Sequence, residues 1–91
     1  MTTMNQISKE QVVTKLKQYV TEAFLYDRED VVLTNDFPLI EQRVIDSMGI
    51  FRLITYLEGE FGATLPLTEI KLENFETIDA IAALMARVSL V

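Results

Sequence analysis

Apolar residues recur at Val12, Val13, Leu16, Tyr19, Val20, Ala23 and Phe24 in an otherwise polar stretch, and this one-face spacing predicts an amphipathic helix over about 8–25. Ser8, followed three residues later by Gln11, has the pattern of a capping box, in which each side chain satisfies a free N–H of the first turn. A second series at Ile50, Leu53, Ile54, Leu57 and Phe61 predicts a helix over about 47–61. Gly62 suits a left-handed cap, and Pro66 bars continuation. "TEIKLENF" is too short for a long helix and predicts one or two turns at about 68–72, with Ile70 and Leu72 turned inward. Ile78, Ile81, Ala82, Met85 and Val88 then predict a last helix over about 77–88, with Thr77 or Asn74 as its cap.

Between the first two helices, residues 26–46 form a connection longer than most helix–helix loops. It carries Val31, Val32, Leu33, Phe37, Leu39, Ile40, Val44 and Ile45, which predicts a crossover packed onto the core. No strand alternation survives beyond "VVLT" and no repeat appears. The expectation is an all-α fold: a small four-helix bundle of three main helices and one short one, with a long loop after the first.

Length changes the picture only by confining it. Ninety-one residues make one domain, 1–91, near the lower end of what buries a core unaided, and 49% hydrophobic residues with two prolines and three glycines argue for a packed globule. "MTTMNQISKEQVV" has no basic flank before an apolar run, and no segment nears eighteen uninterrupted apolar residues, so no membrane association and a cytoplasmic location are expected. Fourteen acids against eight bases give a net charge of −6, without the basic stripe that a nucleic-acid ligand needs. An acidic surface steers towards basic protein partners.

The candidate chemistry lies in "EQRVIDSMGIF", residues 41–51, where an apolar helix opens with Asp46 and Ser47. Serine is a weak nucleophile unless a neighbouring base removes its proton, and the chain has no histidine and no cysteine. A serine–lysine pair needs a desolvated lysine, whereas Lys9, Lys15, Lys17 and Lys71 all lie in polar surroundings. Ser47 is therefore either a capping residue, with Asp46 as the other candidate for the cap, or a residue on which another protein acts. A helix N-terminus favours a phosphate, so a phosphodiester on Ser47 is compatible with its place.

The run "VIDSMGIFRLITYLEGEFGATLP", continued by "ENFETIDAIAALM", resembles the acyl and peptidyl carrier proteins over nearly the whole chain. The resemblance implies that Ser47 receives a 4′-phosphopantetheine arm from coenzyme A. It implies that Asp46 helps a separate phosphopantetheinyl transferase engage the site, and that the carrier is not itself an enzyme. The arm's thiol then holds cargo as a thioester, supplying the reactive sulfur that a cysteine-free polypeptide lacks. Implied partners are the transferase, acyl- or aminoacyl-loading ligases and synthase enzymes, met by a monomer. Met48 departs from the family's usual leucine after the serine, and the exposed side of the second helix, with Met48, Phe51, Arg52 and Thr55, is the expected partner-binding face. Residues 41–61 hold four acids against two bases, a net of −2, so whole-chain acidity overstates the charge near the site. Arg52 is open to two readings, a partner contact or a pair with Glu58 or another solvated acid. Three functions stay open: an acyl carrier of polyketide, secondary-metabolite or fatty-acid-type biosynthesis, an aminoacyl or peptidyl carrier loaded by an adenylating ligase, and an unmodified helical adaptor.

Overall fold

The computed structural model describes residues 8–28 and 30–89. Residues 1–7, which carried part of the reading that no leader is present, lie outside these. The described residues form helices α1 (Lys9–Phe24), α2 (Ser47–Phe61) and α3 (Ile78–Ser89), with 3-10 turns at Leu67–Glu69 and Leu72–Phe75 and no strand among them. The fold is all-α.

Each boundary has a local cause. The Ser8 hydroxyl accepts from Gln11 N–H and the Gln11 amide oxygen accepts from Ser8 N–H, both at 3.1 Å, which closes the capping box of α1. Asp46 caps α2, and Gly62 ends it at φ 67°, donating its N–H to the Glu58 carbonyl at 3.0 Å. Thr77 caps α3: its hydroxyl oxygen accepts from Ala80 N–H at 3.0 Å.

The apolar stripes meet in one core. Val12, Leu16 and Val20 of α1 and Ile50, Leu53, Ile54 and Leu57 of α2 are buried, with Ile78, Ile81, Ala82, Leu84 and Met85 of α3. The long crossover is built around Leu39, which is fully buried. Its N–H donates to the Glu76 carbonyl at 2.8 Å, and its carbonyl accepts from Val44 N–H at 2.8 Å and Ile45 N–H at 3.2 Å. Val44 and Ile45 are buried beside it, whereas Val32, expected inside, is 75% exposed. Val31, Leu33, Phe37 and Ile40 are partly buried against the core, so the loop packs along its length with Val32 as the exception.

The short helix expected at 68–72 is instead two separate 3-10 turns. Ile70 (φ −88°, ψ 85°) and Lys71 (φ −144°, ψ 153°) leave helical space between them. Asn74 holds the break, donating from Nδ2 to the Glu69 carbonyl at 2.7 Å and accepting at Oδ1 from Arg87 at 3.2 Å. This engagement also removes Asn74 as a cap for α3. Phe75 takes the buried position of the segment, while Leu72, expected inward, is 57% exposed.

Candidate functional site

Asp46 has extended backbone (φ −107°, ψ −170°), so its side chain folds back over the helix end and Oδ1 accepts from Gly49 N–H at 2.8 Å. Its carbonyl takes the first helical bond, from Ile50 N–H at 3.0 Å. Asp46 is thus the cap and Ser47 the first helical residue. The Ser47 hydroxyl makes no capping bond, its side chain is exposed, and its N–H and that of Met48 belong to the first-turn donors without an intrahelical acceptor. The end of α2 carries the partial positive charge of the helix dipole, so an anion esterified to Ser47 fits there.

Gly49 makes this geometry possible, although the spacing of apolar residues gave no reason to single it out. A Cβ at Gly49 would lie 3.0 Å from Phe24 Cε1, 3.1 Å from Ile45 Cγ2 and 3.3 Å from Asp46 Oδ1. Its lack of a side chain lets the end of α1 and the capping carboxylate close on the first turn of α2. A glycine inside an apolar helical pattern was the signal in the sequence.

The residues expected on the partner face share one side of α2. Met48 is 72% and Phe51 61% exposed, and Arg52 and Thr55 are also exposed. The Thr55 hydroxyl donates to the Phe51 carbonyl at 3.1 Å. Arg52 is in no ion pair among the described residues, and Glu58 is engaged elsewhere, its Oε2 accepting from Leu65 N–H at 3.0 Å. The Arg52 guanidinium instead lies over the Phe24 ring, 4.9 Å from its centroid, which holds the cation on the face beside Phe51. Among the described residues Arg52 therefore meets a ring and pairs with neither Glu58 nor another acid.

Three of the four lysines are engaged with acids and supply no base for Ser47. Lys15 Nζ lies 2.9 Å from Glu60 Oε2, and this hydrogen bond holds its ammonium above the ordinary lysine range, opposite to what a proton acceptor requires. Lys9 pairs with Asp79 and Lys71 with Glu73. On the α1 side of α2, Tyr19 and Tyr56 stack at 4.0 Å, and burial raises the Tyr56 phenol above its ordinary range. The described residues contain no group of three potential metal ligands and no helix long and apolar enough to cross a membrane.

Residues 14–85 match the family described as PP-binding, phosphopantetheine attachment site. The chain is 34% identical over 74 residues to the probable acyl carrier protein PigG of a Serratia species, covering 81% of this chain and 84% of that protein. It is 41% identical over 56 residues to the D-alanyl carrier protein of Lactococcus lactis, covering 62% and 66%, and 30% identical over 70 residues to that of Streptococcus mutans, covering 77% and 85%. A chain in a solved structure described as a crystal structure of an FAD-dependent dehydrogenase superposes with a TM-score of 0.67 at 27% identity, over 77% of this chain and 97% of that one. With an all-helical fold and an exposed first-turn serine on α2, the chain belongs to the phosphopantetheine-binding carrier family, and is a carrier protein whose prosthetic group is 4′-phosphopantetheine.

Proposed function

We propose that Ser47 is the residue that takes the arm, and that the chain is a non-catalytic carrier of acyl thioesters. The observation that supports this is the division of labour at the start of α2: Asp46 does the capping, which leaves the Ser47 hydroxyl exposed and uncommitted. Arm transfer forms a bond from the Ser47 oxygen to phosphorus, breaks the pyrophosphate bond of coenzyme A and releases the adenosine bisphosphate. The hydroxyl proton goes to a base of the transferase, because this chain has no histidine and its Lys15 is held protonated. Once attached, the arm supplies a thiol for thioester formation.

Asp46 orients the first turn and offers a carboxylate to the transferase. Met48, Phe51, Arg52 and Thr55 present an apolar surface with one cation, which selects partners by apolar contact as much as by charge. The working form is a cytoplasmic monomer that meets the transferase, a loading ligase and synthase enzymes, without nucleic acid or membrane, in secondary-metabolite or other acyl-chain biosynthesis. The D-alanyl carrier relatives favour a second reading, in which an adenylating ligase loads an amino acid.

The test is intact mass after incubation with coenzyme A and a broad-specificity phosphopantetheinyl transferase. A single arm is expected on the natural chain and none on Ser47→Ala. Because Asp46 holds the cap, Ser47→Ala should leave stability within about 0.5 kcal/mol, the range for surface changes, so loss of the arm is not loss of the fold. Addition that persists in Ser47→Ala sinks the assignment, as does no addition by several transferases.

A further inference from the structure

Along α2 the charge left open to a partner is positive. The helix has two acids, and both are engaged: Glu58 accepts from Leu65 N–H at 3.0 Å, and Glu60 pairs with Lys15 at 2.9 Å. Its one base, Arg52, is exposed and pairs with no acid among the described residues. The guanidinium rests over the Phe24 ring, 4.9 Å from the centroid. A ring face attracts a cation through its quadrupole and leaves the charge whole, where a carboxylate would cancel it. A chain of net charge −6 thus offers an uncancelled cation beside the exposed Met48 and Phe51.

Phe24 is itself held in place. It is the last residue of α1 and half-buried, and its Cε1 lies 3.0 Å from where a Cβ on Gly49 would stand, so the ring rests on the first turn of α2. Tyr19 meets it edge-on at 6.0 Å and 81°, and Tyr19 is stacked in turn on Tyr56 of α2 at 4.0 Å. The ring is wedged between the two helices. An exposed arginine samples many rotamers, and one that rests on a fixed ring is partly ordered before a partner arrives, which lowers the ordering cost of docking. Asp46 and Arg52 are six residues apart, about 9 Å along the helix axis. Opposite charges at that spacing fit a complementary surface in one orientation.

We propose that Phe24 is a positioning residue for arm addition, and that it presents Arg52 to a carboxylate on the phosphopantetheinyl transferase. This rests on the carrier reading of Ser47 and adds the polarity of the partner at one point: acidic opposite Arg52, where the charge of the whole chain calls for basic. Arg52 touches the transferase, and Phe24 acts through Arg52.

The experiment measures steady-state arm addition by the broad-specificity transferase, with the carrier as the varied substrate. Arg52→Gln should raise KM for the carrier about fivefold at unchanged kcat, and Arg52→Glu should raise it further. Phe24→Leu should raise KM about two- to fivefold, the equivalent of an exposed cation–π contact. Phe24→Tyr keeps the ring face and should restore the natural value. In the Arg52→Gln background Phe24→Leu should add nothing, because its only route to the transferase is the guanidinium. The Arg52 Hδ resonances, shielded by the ring in the natural chain, should move downfield in Phe24→Leu, with circular dichroism unchanged. An unchanged KM in Arg52→Gln, a lowered KM in Arg52→Glu, which marks a basic partner, or a Phe24→Leu effect that persists without the Arg52 charge would overturn the proposal. Failure of the carrier reading shows earlier and separately, as a natural chain that accepts no arm at Ser47.

Discussion

Asp46 Oδ1 accepts from Gly49 N–H at 2.8 Å, and this bond binds the acidic neighbour of Ser47 into the fold itself. Two roles meet in one carboxylate, and substitutions separate them. Asp46→Ala removes the cap and should cost about 1 kcal/mol in chemical denaturation. Asp46→Asn keeps an oxygen acceptor of the same reach and should stay within about 0.5 kcal/mol, since asparagine caps about as well as aspartate. If the charge serves the transferase, Asp46→Asn slows arm addition at unchanged stability. Equal rates for the natural chain and Asp46→Asn would limit Asp46 to capping.

Gly49 should resist even the smallest side chain. Alanine there gains about 1 kcal/mol of helix propensity over glycine, but its Cβ would press on Phe24 at 3.0 Å and Ile45 at 3.1 Å. Overpacking of this kind costs about 1–3 kcal/mol, so a net loss of up to about 2 kcal/mol is expected for Gly49→Ala. In a Phe24→Leu background the nearest contact is gone and the same substitution should cost less or turn favourable. A double-mutant cycle measured by denaturant unfolding checks the coupling.

Arg43 is the one non-glycine residue with positive φ among those described, at 61°. Its N–H donates to the Ile40 carbonyl at 3.0 Å, in the turn that brings Val44 and Ile45 back onto Leu39. A left-handed residue with a Cβ costs about 1–2 kcal/mol, while glycine loses about 0.5–1 kcal/mol more entropy on folding. Arg43→Gly should therefore range from neutral to stabilising by about 1.5 kcal/mol. A lowered melting temperature would show that the guanidinium makes a compensating contact.

Periodicity placed α1, α2 and α3 within a residue or two because each buries one stripe against the same core, and a stripe is a local property of the sequence. Leu84, fully buried yet absent from the expected series, fits as a widening of that stripe. What periodicity could not show were the features made by residues distant in the chain. Arg52 and Phe24 meet only because α1 ends beside α2, and the Gly49 contact has the same origin. The break at Ile70–Lys71 depends on Asn74 and on Arg87 from α3, so the segment read as a single short helix. At the site, Asp46 and Ser47 stood out from sequence, but which of them capped α2 was decided by the backbone of Asp46.

The clamp that fixes the 3-10 turns gives the chain an acid-sensitive element. Arg87 donates to Glu69 Oε1 at 3.0 Å, and this hydrogen bond, with smaller help from Asn74, holds the Glu69 carboxyl below its ordinary value of 4.5. A carboxylate whose pKa is lowered in the folded state binds fewer protons there than when unfolded. Its contribution is thus complete above the unfolded value and is lost as pH falls from about 4.5 through the folded one. The same guanidinium reaches Asn74 Oδ1 at 3.2 Å, so protonation loosens Leu67–Phe75 from α3 before the helices separate. Protection factors at Ile70 and Asn74, taken relative to the intrinsic exchange rate at each pH, should fall below that pH while those at Leu53 and Leu57 hold. Glu69→Gln should bring the lowered protection to neutral pH and flatten its dependence on acid. An acid response identical to that of the natural chain would place the titrating group elsewhere.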